Sequence, residues 1–116
     1  MSATTSATTQ ADMAAAWGNT KALRSYMELG VLPTPQAVGH AVEQGHVDVL
    51  RLCISAGVLP PTKSVEWATA KGYNSILSLC IEAGIMPTPK GADMAAANGH
   101  IDTLWICQKA GVHPTF

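Results

Sequence analysis

Apolar residues in this sequence fall in short stripes at helical spacing, cut regularly by glycine and proline. Ala37, Val38, Ala41 and Val42 form one stripe, with Gln36, Glu43 and Gln44 on the opposite side. Thr34-Pro35 precedes it, supplying an N-cap oxygen and a proline at the first helical position, where a missing N–H is harmless. Gly45 is placed to end this helix in the left-handed conformation. A second helix is predicted from about Val47 to Ala56, richer in large apolar residues: Val47, Val49, Leu50, Leu52, Cys53 and Ile54. Asp48 in its first turn favours the helix dipole, Gly57 closes it, and Pro60 blocks continuation.

The same punctuation returns every 27 residues: Gly18, Gly45, Gly72 and Gly99; Gly30, Gly57, Gly84 and Gly111; Pro33, Pro60, Pro87 and Pro114. Alanines 14, 41, 68 and 95 share one column, and leucines 23, 50, 77 and 104 another. The chain therefore divides without gaps into repeats 7–33, 34–60, 61–87 and 88–114, each a pair of short helices. Thr88-Pro89 repeats the start of the second repeat, whereas the third has Pro61-Thr62, which makes Thr62 the expected cap there.

One such pair cannot bury its apolar surface alone, but stacked neighbours can. The second helix of each pair, apolar on most sides, is the expected inner spine, and the first helix is expected to show its polar side to solvent. Thr20, Ser25 and Gln108 stand where other repeats are apolar, as in end caps, so the array is expected to be complete at four repeats within one domain over 7–116. Residues 1–6 read as a disordered polar tail.

Composition narrows the function classes. Of 116 residues 47% are hydrophobic, enough for a core, and only 13% are charged, about half the usual fraction. Such low charge suggests that part of the surface is covered in use. The formal net charge of −1 and the lack of a Lys/Arg cluster argue against nucleic acid as a partner. No apolar run is long enough to span a membrane, and the start resembles neither a secretory signal nor a transit peptide. Three cysteines, an odd number, point to free thiols in an intracellular setting, cytoplasmic or nuclear.

The run Ala95-Ala96-Ala97-Asn98-Gly99-His100-Ile101-Asp102-Thr103-Leu104, ending in Ala110-Gly111-Val112, resembles the helical core of an ankyrin repeat. So does Gly45-His46-Val47-Asp48-Val49-Leu50 through Ala56-Gly57, and the likeness extends over all four repeats. Ankyrin units usually have 33 residues. Here the missing residues all lie between the Gly of one repeat and the Ala pair of the next, where the family makes a β-hairpin finger. Segments such as Gly57-Val58-Leu59-Pro60-Pro61-Thr62 are too short and proline-rich for one. The Thr-Pro pair also sits two residues earlier than in the family pattern. The resemblance implies an all-α fold, an α-solenoid of four helix–turn–helix ankyrin-like repeats without β-hairpin fingers. It also implies a non-enzymatic module that binds a protein partner, with contacts on the first helices.

Two columns just before the inter-helix glycine are those the family commonly turns toward partners. They hold Ala16, Glu43, Ala70 and Ala97, and Trp17, Gln44, Lys71 and Asn98. Trp17, Glu43, Gln44, Lys71 and Asn98 are accordingly the candidate partner-binding residues. Trp17 has two readings, an exposed interface anchor or an edge residue covered by the N-terminal tail. Trp105 either packs under Val112, His113 and Phe116 or marks an assembly surface. The alternative function is a structural, self-assembling subunit of a larger particle or homo-oligomer, suggested by low charge and apolar end surfaces.

The remaining candidates favour plain structural roles. Cys53, Cys80 and Cys107 share a column, but neighbouring helices roughly 10 Å apart exceed disulfide and zinc-ligand reach, so they read as buried hydrophobes. His46 and His100 follow the inter-helix glycine and read as turn braces. His40, in a column with Met13, Trp67 and Met94, reads as half-buried packing. Asp12, Glu66 and Asp93 share a column with Gly39 and read as a solvated face rather than a cation site. No paired carboxylates, phosphate loop or nucleophile–base set stands out, so no catalysis, cofactor, metal or small-molecule substrate is expected.

Overall fold

The computed structural model describes residues 3–113, with side chains from Thr9 onward. Among the described residues the chain is all-helical and strand-free. Eight helices follow one another: α1 (Ala3–Trp17), α2 (Thr20–Glu28), α3 (Pro35–Glu43), α4 (Val47–Ser55), α5 (Thr62–Lys71), α6 (Asn74–Glu82), α7 (Pro89–Ala97) and α8 (Ile101–Lys109). They form two compact units that meet in sequence between Pro61 and Thr62. In the first unit α1 packs on α2 and α3, and α4 packs on α2 and α3. The second unit repeats this scheme with α5 to α8. Each unit is thus two helix pairs stacked side by side, the packing of an all-α repeat solenoid.

Local chemistry sets the helix boundaries. The Ala37 N–H donates to Thr34 Oγ1 at 3.4 Å and the Gly91 N–H donates to Thr88 Oγ1 at 3.0 Å, with Pro35 and Pro89 as the first helical residues. At the other end of α3, Gly45 has φ 79°. This left-handed residue lets the His46 N–H donate back to the Ala41 oxygen at 2.9 Å, satisfying a carbonyl the helix leaves open. The second helix closes in the same way, with the Val58 N–H donating to the Cys53 oxygen at 2.9 Å.

Two boundary expectations are corrected. Residues 3–6 of the expected tail belong to α1, while residues 1 and 2 lie outside the described residues, as does Pro114. The segment holds no glycine or proline, so a helix anchored by the packing of Ala11 and Ala14 extends toward the N-terminus at little cost. Thr62 is the first residue of α5 rather than its cap. Pro61 precedes it, with a fixed φ and no side-chain oxygen to serve as a cap.

The burial pattern overturns the expected inner spine. In α3, Ala37, Val38, Gly39, Ala41 and Val42 are buried, whereas in α4 only Val49, Leu50 and Cys53 are. The second unit repeats the contrast, with Ser64, Val65, Ala68, Thr69 and Ala70 buried in α5 and Ile76, Leu77 and Cys80 in α6. The most extensive helix contacts are α1 with α3 and α5 with α7. Small Ala, Gly and Ser side chains let the first helices approach closely. The bulkier Leu52, Ile54, Leu79 and Ile81 hold the second helices in looser contact and stay half-buried.

Repeats within a unit are also joined by polar contacts. The Thr34 backbone and hydroxyl both bond to Asp12, and the Thr88 hydroxyl donates to Glu66 Oε2 at 3.2 Å. Asp12 and Glu66 are half-buried, so this column is a clasp between first helices and not the solvated face expected. The reason is geometric: the acid of one first helix faces the N-terminus of the next, where free N–H groups seek an acceptor.

Candidate functional site

In the first unit Trp17 is the last residue of α1 and is 78% exposed, so nothing described in the chain covers it. It borders two depressions. One, of about 360 Å³, runs between α1 and α2 and is lined by Gln10, Met13, Ala14, Trp17, Asn19, Ala22 and Tyr26. Gln10, Met13, Ala14 and Trp17 fall on one helical stripe, and the Tyr26 hydroxyl donates to Gln10 Oε1 at 3.0 Å across the groove. The other, of about 470 Å³, lies between the ends of α1 and α3 and is lined by Ala16, Trp17, His40, Gln44 and His46. The unit therefore brings together three of the expected contacts. Gln44 is exposed, and Glu43 is half-buried with its carboxylate 3.7 Å from His40 Nδ1.

The second unit holds the other two. Lys71 is exposed, and its Nζ stands 4.9 Å from the centroid of the Trp67 ring, a cation–π arrangement. The Asn98 amide donates to the Ala70 oxygen at 3.0 Å, so part of its hydrogen-bonding capacity is taken up within the unit.

Several side chains lie differently from their expected places. His40 is exposed rather than half-buried, and its column mates Met13, Trp67 and Met94 are 54%, 45% and 41% exposed. This column faces outward because the first helices turn their small Ala and Gly stripe inward. Two large apolar side chains on α8, Ile101 and Trp105, are 66% and 60% exposed. Trp105 is therefore not buried by packing, and Phe116, one of its expected partners, lies outside the described residues. The signal for these exposed positions was present as large apolar residues in otherwise variable columns.

His46 and His100 act between repeats more than within their turns. A Cβ on Gly18 would lie 2.7 Å from His46 Nδ1, and one on Gly72 would lie 2.9 Å from the His100 ring. Each imidazole thus lies flat over the glycine of the preceding repeat, and neither makes a side-chain cap bond.

The cysteines are free and buried. Burial pushes the thiols of Cys53 and Cys80 up from 9.0 to about 11, and that of Cys107 up as well, because the low-polarity interior penalises the thiolate. Among the described residues no His, Cys, Asp and Glu are grouped so as to hold a metal ion, and no helix is long and apolar enough to cross a membrane. No protein-family model matches the chain, and no curated protein matches it in sequence.

Proposed function

We propose that the chain is a non-enzymatic, ankyrin-like protein-interaction module that binds a protein partner through the exposed ends of its first helices. The observation that carries this reading is Trp17, a large aromatic side chain left 78% exposed between two depressions. Tryptophan loses little conformational entropy on binding and brings a large apolar area, which is why it anchors interfaces. Glu43 and Gln44 flank it in the first unit, and Lys71 with Trp67 and Asn98 offers a second polar and aromatic patch in the other. These side chains differ from repeat to repeat while the Ala, Leu, Gly and Pro columns stay constant, as expected where a fixed scaffold carries a specific surface. Free buried thiols favour an intracellular site of action, cytoplasmic or nuclear.

Immobilised chain, alongside its Trp17→Ala and Lys71→Ala variants, tests this. A protein retained from native extract by the wild type and lost by the variants, at unchanged melting temperature, is the expected result. Equal retention by all three would remove the assigned surface.

A further inference from the structure

We propose that the chain stacks head to tail on a second copy of itself, the last helix pair of one copy seating on the α1–α2 groove of the other. The inference rests on contacts between successive repeats inside each unit, which define what meets what. Asn98 reaches back to the oxygen of Ala70. His46 and His100 lie over Gly18 and Gly72. The Thr103 hydroxyl donates to the Asn74 amide oxygen. Each contact joins one column of a repeat to a fixed column of the next.

Carried forward by one repeat from the last helix pair, the same column pairs set Ala97 against Trp17, Gly99 against Asn19 and Ile101 against Ala22 of a second copy. The three receiving residues, Trp17, Asn19 and Ala22, all line the 360 Å³ groove. The three presenting residues, Ala97, Gly99 and Ile101, are all exposed. A Cβ on Gly99 would meet nothing within 4 Å, whereas Gly18 and Gly72 are each covered by a histidine of the following repeat.

The presenting face of the last pair also has the composition of one already shown to bury. Ala96 and Leu104 stand where the first repeat has Ala15 and Leu23. The latter two are 0% exposed beneath the second repeat, while Ala96 and Leu104 remain partly open. The receiving face differs in one respect. Gln10 stands where a Cβ on Gly91 would lie 3.3 Å from Thr69, and the larger side chain would meet the smaller Ala96 of the second copy. The Gln–Ala pair is bulkier than the internal Gly–Thr pair, so the exposed Gln10 side chain has to swing aside as the two faces meet. An association of unlike faces is open-ended and adds copies until a ring closes or the chains are spent.

The proposal is independent of the partner-binding reading except at Trp17, so its test uses Ile101 and Ala22, which that reading does not involve. Sedimentation of the wild-type chain over a dilution series is expected to show a mass that rises past two copies with concentration. Ile101→Lys disables the presenting face and Ala22→Lys the receiving face. Each variant alone is expected to stay at monomer mass. An equal mixture, which restores one matched pair of faces, is expected to stop at twice the monomer mass. Melting temperatures close to wild type establish that the variants fold, and Ala97→Glu serves as a second presenting-face variant. A wild type that stays monomeric throughout, variants that associate as the wild type does, or a mixture of folded variants that stays monomeric each overturns the proposal.

Discussion

The Thr34 backbone N–H donates to Asp12 Oδ1 at 2.6 Å while the Thr34 hydroxyl donates to Asp12 Oδ2 at 3.1 Å. One carboxylate in α1 thereby fixes the start of α3. The same hydroxyl oxygen accepts the Ala37 N–H, so capping of α3 and docking of the two repeats depend on a single side chain. Thr88 and Glu66 repeat the hydroxyl part of this arrangement in the second unit, with Lys90 Nζ 3.8 Å from Glu66.

Replacing Asp12 with alanine removes two hydrogen bonds to a charged acceptor and leaves a partly buried N–H without a partner. The expected loss is roughly 1.5–3 kcal/mol in urea unfolding. Thr34→Ala is expected to cost about 1 kcal/mol or somewhat more, since it removes the cap as well as one clasp bond. The double variant should lose less than the sum of the two, because the groups share one network. Strict additivity in that cycle would show that the clasp is not a coupled unit.

Glycines at the same kind of turn are expected to differ in tolerance. Gly18 and Gly30 both have left-handed φ, +77° and +83°, so alanine at either costs about 1 kcal/mol in backbone strain. At Gly30 the added Cβ meets nothing within 4 Å, but at Gly18 it lies 2.7 Å from His46 Nδ1. Gly18→Ala should therefore lose roughly a further 1–2 kcal/mol from displacing the ring. In a His46→Ala background that excess should vanish, which thermal or urea melts of the four variants will show.

The thiols give a pH signature. Cys53 and Cys80 titrate near 11 in the fold, above their ordinary value of 9.0, so the folded state holds protons that the unfolded chain has released. Their contribution is fully present below pH 9 and is lost as pH rises toward 11. Over that window each thiol should lower unfolding free energy by about 1.4 kcal/mol per pH unit at most. Cys53→Ala and Cys80→Ala variants should show a shallower alkaline decline. Native protein at neutral pH should resist thiol reagents and become reactive only with denaturant. Rapid native labelling of either residue would contradict their enclosure.

Much of the architecture follows from local order in the sequence. The recurrence of Gly45 and its equivalents, with Thr34-Pro35 and Thr88-Pro89, fixes helix starts and stops, because caps and left-handed residues act within a few bonds. Burial of the cysteines and exposure of Trp17, Gln44 and Lys71 are likewise consistent with their columns.

Only the tertiary structure decided which helix of each pair lies deepest, which acids clasp a neighbouring threonine, and which large side chains remain open. Periodicity states that Ala37, Val38 and Ala41 share a face, but not that this face meets another just as small. That match brings α1 close to α3 and α5 close to α7 and rotates Met13, His40, Trp67 and Met94 outward. It also sets the Asp12 carboxylate against a helix start 22 residues away, a meeting that depends on the distance and angle between two helices and on no property of either alone.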